Sequence, residues 1–313
     1  MPISAASIKT QARHLGFDLC GIAPAADLPE LSFFDDWLAR GYAGEMAYLH
    51  RSAERRADVR RVQPSAKTVI VTGTVYNTDA PYSTECTDPG RAQIARYAWG
   101  DDYHDVIGAR LEALVVWMRE TAGGPFEARA YVDTGPVQER VYARHAGLGW
   151  IGKNTCVISP SLGSWLFLGE IICSLSLDVD APSPDQCGTC TLCIEACPTQ
   201  AIVAPAVLDS TRCISYLTIE QRGPIPDAFA PAVGSHVYGC DVCQEVCPWN
   251  QVAPRSEDPA WQPRPAWDGV DILALADKSD AQLGEAMRGS AMQRTKIAGL
   301  RRNLQVAANN LKL

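Results

Sequence analysis

Cys187-Gly188-Thr189-Cys190-Thr191-Leu192-Cys193-Ile194-Glu195-Ala196-Cys197-Pro198 sets three thiols at two-residue gaps, a fourth after a gap of three, and a proline behind it. A second half follows with Cys213, then Cys240, Cys243 and Cys247 before Pro248. This is the bacterial iron–sulfur spacing, in which the fourth cysteine of a run ligates the other of two clusters. Two-residue gaps let neighbouring thiolates converge on the corners of one small cube. The crossing rule assigns Cys187, Cys190, Cys193 and Cys247 to one 4Fe–4S cluster. Cys240, Cys243, Cys197 and a displaced Cys213 form the second set. Two zinc sites could also use eight thiolates, but paired Cys-Pro endings and three evenly spaced cysteines favour clusters. Such a module moves single electrons.

The rest of the chain must say where the electrons go. Its 313 residues suffice for more than one domain, and 47% apolar with 20% charged residues is ordinary for a globular protein. No apolar run approaches a membrane span of ~18–20 residues, and the N-terminus lacks the pattern of a signal peptide. With so many thiolates committed to iron, a reducing cytoplasm is expected. The remaining Cys20, Cys86, Cys156 and Cys173 are scattered and read as ordinary core or surface residues. A net charge of −8 excludes a general nucleic-acid binder. Any nucleic acid must be held by local patches, of which there are two: Arg51, Arg55, Arg56, Arg60 and Arg61, then Arg294, Lys296, Arg301 and Arg302. A solvated helix face is the alternative for each.

Upstream of the cysteines, helical and strand patterns alternate. Helices are expected over 5–15, 30–40, 46–56, 106–120 and 137–145, with Gly16, Gly41 and Gly147 as stops. Strands are expected over 17–22, 67–76, 126–132, 155–158 and 164–173, the last two hydrophobic enough to be central. The segment 178–185, rich in proline and acids, reads as a linker, and the C-terminal stretch as a helical tail.

Three motifs carry chemistry. Gly147-Leu148-Gly149-Trp150-Ile151-Gly152-Lys153-Asn154 approaches a P-loop, but Asn154 replaces the required Ser or Thr and a helix end precedes it. Nucleotide hydrolysis is rejected, and the glycines point to a tight turn or to backbone close against a bulky ligand. Asp102-x-His104 with Gly108 is one residue too long for a histidine-on cobalamin signature, so a capping or buried His104 is the reading preferred to an axial ligand. Asp133 closes a strand beside Gly135 and Pro136. Poor hydration there would raise its pKa and suit a general acid, whereas an N-cap for the following helix is the simpler expectation.

Asp102-Tyr103-His104, Val132-Asp133-Thr134-Gly135-Pro136, the Gly147–Asn154 stretch, the cysteine pattern and the tail from Gly289-Ser290-Ala291-Met292 to Arg301-Arg302-Asn303 together resemble the epoxyqueuosine reductase family. The resemblance runs over nearly the whole chain. It implies an α+β fold: a nitroreductase-like cobalamin-binding domain at 1–178, a two-cluster ferredoxin-like domain at 179–252 and a short helical tail at 253–313. It further implies a monomeric cytoplasmic oxidoreductase of tRNA processing. The enzyme would reduce the epoxide of epoxyqueuosine at the tRNA wobble position to queuosine, with base-off cob(I)alamin as nucleophile. Asp133 matches the family's general acid. Arg56, Tyr97, Val157, Ser159, Ser215, Cys240 and Asp241 match stretches lining the cofactor, which makes the Cys197, Cys213, Cys240 and Cys243 cluster the one nearer cobalt. Electrons would come from an external donor such as ferredoxin or flavodoxin. A dehalogenase-like enzyme acting on a small organic molecule and a plain electron-carrier subunit are the competing readings.

Overall fold

The computed structural model describes residues 3–312. Its centre is a four-stranded antiparallel sheet of β1 (Leu19–Pro24), β2 (Thr68–Val75), β3 (Ala128–Tyr131) and β4 (Leu166–Cys173) in the order β1-β2-β4-β3. Every residue of β2 is buried, as expected of a Val- and Ile-rich strand covered on both faces. On one face lie the helices Ala5–His14 and Tyr103–Thr121, whose Ile8, Ile107, Leu111 and Leu114 pack on Ile22, Ile70 and Ile171. On the other, Val141, Tyr142 and Ala143 of the helix Glu139–His145 pack on Val69, Val71 and Ile172. The alternation of strand side chains thus feeds two cores, one above and one below the sheet.

The helix Tyr103–Thr121 begins three residues earlier than the sequence predicts, because Asp102 caps it by accepting from His104 N. The segment 30–40 opens with a 3-10 turn, Pro29–Ser32, before the helix Phe33–Ala39. The segment 46–56 divides at Ser52 into Ala47–Arg51 and Ala53–Ala57. The strand expected over 155–158 is not central: only Val157–Ile158 is extended, paired with Trp150–Ile151 in a separate ribbon. Linker residue Asp180 is pinned, accepting from Ile22 N at 2.8 Å and pairing with Lys9.

After the linker come two short cysteine-bearing helices, Leu192–Glu195 and Val242–Glu245. The tail, ending in the helix Lys296–Asn310, shares a third core with the middle of the chain: Ile94, Ala98, Val237 and Tyr238 pack with Leu283, Met292, Leu300 and Leu304. A parallel pairing of Gln93–Ile94 with His236–Tyr238 stitches these parts together. Among the described residues no helix is long and apolar enough to cross a membrane.

Candidate active site

Asp133 stands just past the end of β3 with φ of 55°, a left-handed conformation rare outside glycine. Thr134 N donates to Val132 O at 2.5 Å, which makes Asp133 the centre of a tight three-residue turn. Asp133 N donates to Glu139 Oε1 at 2.5 Å, so the first residue of the following helix clamps the turn. Gly135 is required behind it, since a Cβ there would lie 2.6 Å from Tyr131 Cβ. Asp133 is not an N-cap: the helix starts at Glu139, and Gln138 before it makes no side-chain cap. A strained residue held by its surroundings is a mark of function.

Around this turn the fold gathers charged and phenolic side chains from the segments of Arg56, Tyr97, Asp102–His104 and Tyr238. His104 Nε2 lies 3.4 Å from Asp133 Oδ2, and its Nδ1 lies 2.7 Å from Asp102 Oδ1. Tyr103 stacks on Phe167 at 4.7 Å with its hydroxyl toward Asp133. Arg56 donates to Val137 O at 2.8 Å and to Ser52 Oγ at 2.9 Å, which keeps it beside the turn rather than in solvent. Tyr97 donates to Tyr238 OH at 3.2 Å, and Tyr238 in turn donates to Ala291 O of the tail.

The expected upward shift of Asp133 is overturned. Desolvation pushes its carboxyl up, but the hydrogen bond and charge of His104, then the Tyr103 hydroxyl, outweigh it and hold the group below the usual carboxylate range. His104 is the complement. Burial alone would lower it, but Asp102 and Asp133 raise it to about 9, so the ring is an imidazolium at neutral pH. Sequence reasoning also missed Glu139 and Glu170. Burial, then the Asp133 charge, lifts Glu139 to about 7. Glu170 on β4 is fully buried with neither oxygen hydrogen-bonded, and burial with the nearby Glu139 lifts it well above the ordinary range. One acid inside Leu166-Phe167-Leu168-Gly169-Glu170-Ile171-Ile172-Cys173 was the available signal.

The eight motif cysteines form no disulfide. Burial, then Cys247, Cys187 and Cys190, lifts the Cys193 thiol to about 11. Burial, then Cys156, Cys240 and Cys213, lifts Cys243, while Cys213 feels Cys197 after its own burial. The thiols therefore lie in two neighbourhoods, 187/190/193/247 and 197/213/240/243. Thiols crowded closely enough to raise one another's pKa are relieved of that repulsion by a metal that takes them as thiolates. Donors already face the sulfurs: Ala201 N to Cys197 Sγ at 3.2 Å and Trp150 Nε1 to Cys187 Sγ at 3.4 Å. Such bonds tune a cluster's potential.

The P-loop-like stretch serves this module. Lys153 Nζ donates to Gly188 O at 2.7 Å and Cys190 O at 2.8 Å, and Asn154 Nδ2 donates to Cys243 O at 3.2 Å. Gly149 admits the chain's own backbone, since a Cβ there would meet Ile158 O at 2.2 Å. Of the remaining sequence candidates, Val157 and Ser159 are buried, Ser215 follows Cys213 in the helix Ile214–Ile219, and Asp241 follows Cys240. Asp241 Oδ2 accepts from Arg96 N at 2.6 Å, and burial, then Glu245, lifts this acid to about 7.

The basic patches are partly spent on structure. Arg302 donates to the carbonyls of Gln221, Gly223 and Leu217, and Arg301 binds Asp280 and the Ala276 carbonyl. Arg294 is paired with Glu220 through two 2.8 Å bonds, and Arg60 with Asp58. Arg51, Arg55 and Lys296 remain exposed.

A thiol-rich module docked on a sheet that carries a strained carboxylate and a charged histidine defines an iron–sulfur oxidoreductase. Residues 186–250 match the 4Fe-4S double cluster binding domain, and residues 56–134 match the family model described as "Epoxyqueuosine reductase QueG, DUF1730". The epoxyqueuosine reductase of Gloeobacter violaceus is 46% identical over 98% of this chain and 96% of its own. That of Synechocystis sp. is 44% identical over 91% and 98%, respectively. A crystal structure of epoxyqueuosine reductase with an epoxyqueuosine-modified tRNA-Tyr stem loop superposes with a TM-score of 0.86 at 29% identity, covering 98% of this chain and 81% of that one. The chain belongs to the epoxyqueuosine reductase family.

Proposed function

We propose that this protein reduces the epoxide of epoxyqueuosine, at the wobble position of tRNA, to the alkene of queuosine. The single observation that carries the reading is the clamped, left-handed Asp133 turn facing Tyr103 and His104 on the same compact body as a double-cluster module. Full-length likeness to relatives bearing that name supports the substrate.

Cys187, Cys190, Cys193 and Cys247 would hold the outer 4Fe–4S cluster, and Cys197, Cys213, Cys240 and Cys243 the inner one. An external reductant such as ferredoxin or flavodoxin feeds the outer cluster. Residues 1–178 form a nitroreductase-like domain that binds base-off cobalamin, 179–252 the ferredoxin-like domain and 253–313 the tail. The donor set fits a base-off cofactor. The imidazole beside Asp133 has one nitrogen on Asp102 and the other turned to Asp133, leaving no free histidine there for cobalt. Arg56, Tyr97, Asp133, Val157, Ser159, Ser215, Cys240 and Asp241 would line the cofactor. When bound and reduced, cobalamin would supply a strong cobalt-centred nucleophile toward carbon.

The chain's own residues do the rest. Asp133 delivers a proton to the epoxide oxygen as its carbon–oxygen bond breaks. Tyr103, Arg56 and Glu139 fix the turn that aims Asp133. Arg51, Arg55 and Lys296 offer positive charge to tRNA phosphates. The enzyme works in the cytoplasm as a monomer. Nucleoside analysis of tRNA from a strain lacking the gene tests the assignment: epoxyqueuosine should accumulate and disappear when the gene is restored, whereas unchanged queuosine in the deletion strain would sink it.

A further inference from the structure

We propose that the proton given to the epoxide oxygen is stored on His104 and passed through Asp133, with Asp102 holding the imidazole in place. This deepens the reductase reading and rests on it.

The geometry is a row of three side chains. Asp102 Oδ1 takes His104 Nδ1–H at 2.7 Å and also caps the helix by accepting from His104 N at 3.1 Å, so the ring is tied to the helix start. The far nitrogen, Nε2, is buried and has no hydrogen-bond partner, yet it lies 3.4 Å from Asp133 Oδ2. That gap is slightly long for a hydrogen bond, as catalytic contacts often are before substrate binds. Asp133, the last member, has 61% of its side-chain surface open. The row therefore runs from a half-buried ring, held by a carboxylate and with its Nε2 out of solvent, to an accessible acid.

The charges agree with the geometry. Against the ring lie Asp102 and Tyr103 of its own helix start, and the charge of Arg264, which is paired with Asp101, acts on Asp102. From the turn and helix opposite come Asp133, Glu139 and Arg140, with Glu170 behind them on β4. Tyr48, Arg56, Tyr97 and Arg294 complete the surroundings of Asp133. Of all these, Asp102 and Asp133 face the ring nitrogens. They keep it charged up to about pH 9, while the same contact keeps Asp133 ionised. An ionised Asp133 has no proton of its own to give at neutral pH, and the nearest acidic hydrogen is the one on His104 Nε2.

Reduction of an epoxide to an alkene takes two electrons and two protons and releases one water. The electrons arrive through the cluster domain. As the ring carbon–oxygen bond breaks, its electron pair stays on oxygen. His104 Nε2–H protonates Asp133 Oδ2, Asp133 passes a proton on to that oxygen, and His104 is left neutral. Solvent recharges the ring, and the same route provides the second proton as the remaining carbon–oxygen bond breaks, the two electrons complete the alkene and the oxygen leaves as water.

The test uses the cluster- and cobalamin-loaded protein. With five histidines in the chain, 13Cε1-histidine labelling gives few resonances, and the one missing from His104→Gln is His104. It should titrate near pH 9 in the wild type. His104→Gln also deletes a ring stacked on Tyr103, so Asp102→Asn serves as second variant. Asn is as good an N-cap as Asp, and this change should lower the His104 midpoint by about one pH unit or more. In turnover of epoxyqueuosine-tRNA, kcat/KM should fall above pH 9 in the wild type. In both variants that limb should move to lower pH at unchanged KM, with roughly a 100-fold loss at pH 8 for His104→Gln and a loss of about twofold or more at that pH for Asp102→Asn. A His104 midpoint near the ordinary value, or an unmoved limb in both variants, overturns the relay while leaving the reductase reading intact. No turnover by the wild type overturns both.

Discussion

Asp133 and His104 share one proton between two charged partners, and their environments push them in opposite directions. That division is how a single site keeps an acid and a base poised at neutral pH. Behind them, Glu139 and Glu170 form a buried acidic pair with the opposite consequence. A carboxyl that holds its proton more tightly folded than unfolded favours folding at low pH and loses that contribution as pH rises through its folded value. For Glu139 the window runs from the ordinary carboxylate range, 4.5, to about 7. Thermal unfolding should therefore occur at lower temperature at pH 8 than at pH 5.5. Glu170→Gln, which removes an acid whose own proton burial holds more tightly in the folded state, should shrink that difference, and an equal difference in both proteins would remove the pair from the stability account.

At the level of elements, the central sheet and the long helix were legible because burial and local pattern agree there. The 67–76 run is rich in β-branched residues and carries no charge after Lys67. Ile107, Leu111, Leu114, Val115 and Met118 recur at helical spacing, although the Asp102 cap moves the helix start back to Tyr103. The 155–158 segment misled because two apolar residues pack as well in a small ribbon as in a sheet, and periodicity does not tell them apart. The Asp133 turn was legible as a special place, through Gly135 and Pro136, but not as a left-handed residue. Its conformation depends on contacts that residue type does not announce: Glu139, six residues on, holds the Asp133 N–H, and Tyr131, two residues back, packs where Gly135 has no Cβ. The same holds for Lys153, whose target carbonyls lie in a loop more than thirty residues away. Lys153→Ala should cost about 1 kcal/mol of stability and speed loss of iron to a chelator from the Cys187-containing cluster, sparing the other. Equal loss from both, followed by EPR, would assign Lys153 no specific role there.

Over the whole molecule, a net charge of −8 must be reconciled with a polyanionic substrate. The structure narrows the possible contacts by showing which arginines are already engaged. Arg301 and Arg302 tie the tail to carbonyls, so their loss should lower the melting temperature rather than act on binding alone. Arg51→Glu with Arg55→Glu should instead weaken tRNA binding at unchanged melting temperature. It should also reduce the slope of log affinity against log salt by about 1.4–1.8; an unaltered slope would place the tRNA elsewhere. Binding, electron supply and proton supply then meet at one side chain. Anaerobic turnover of epoxyqueuosine-tRNA by the cobalamin-loaded chain, wild type beside Asp133→Asn, tests that convergence most directly. The account predicts queuosine from the wild type and a rate at least roughly 100-fold lower from the variant, with both clusters and tRNA affinity retained. Equal rates from the two proteins would contradict it.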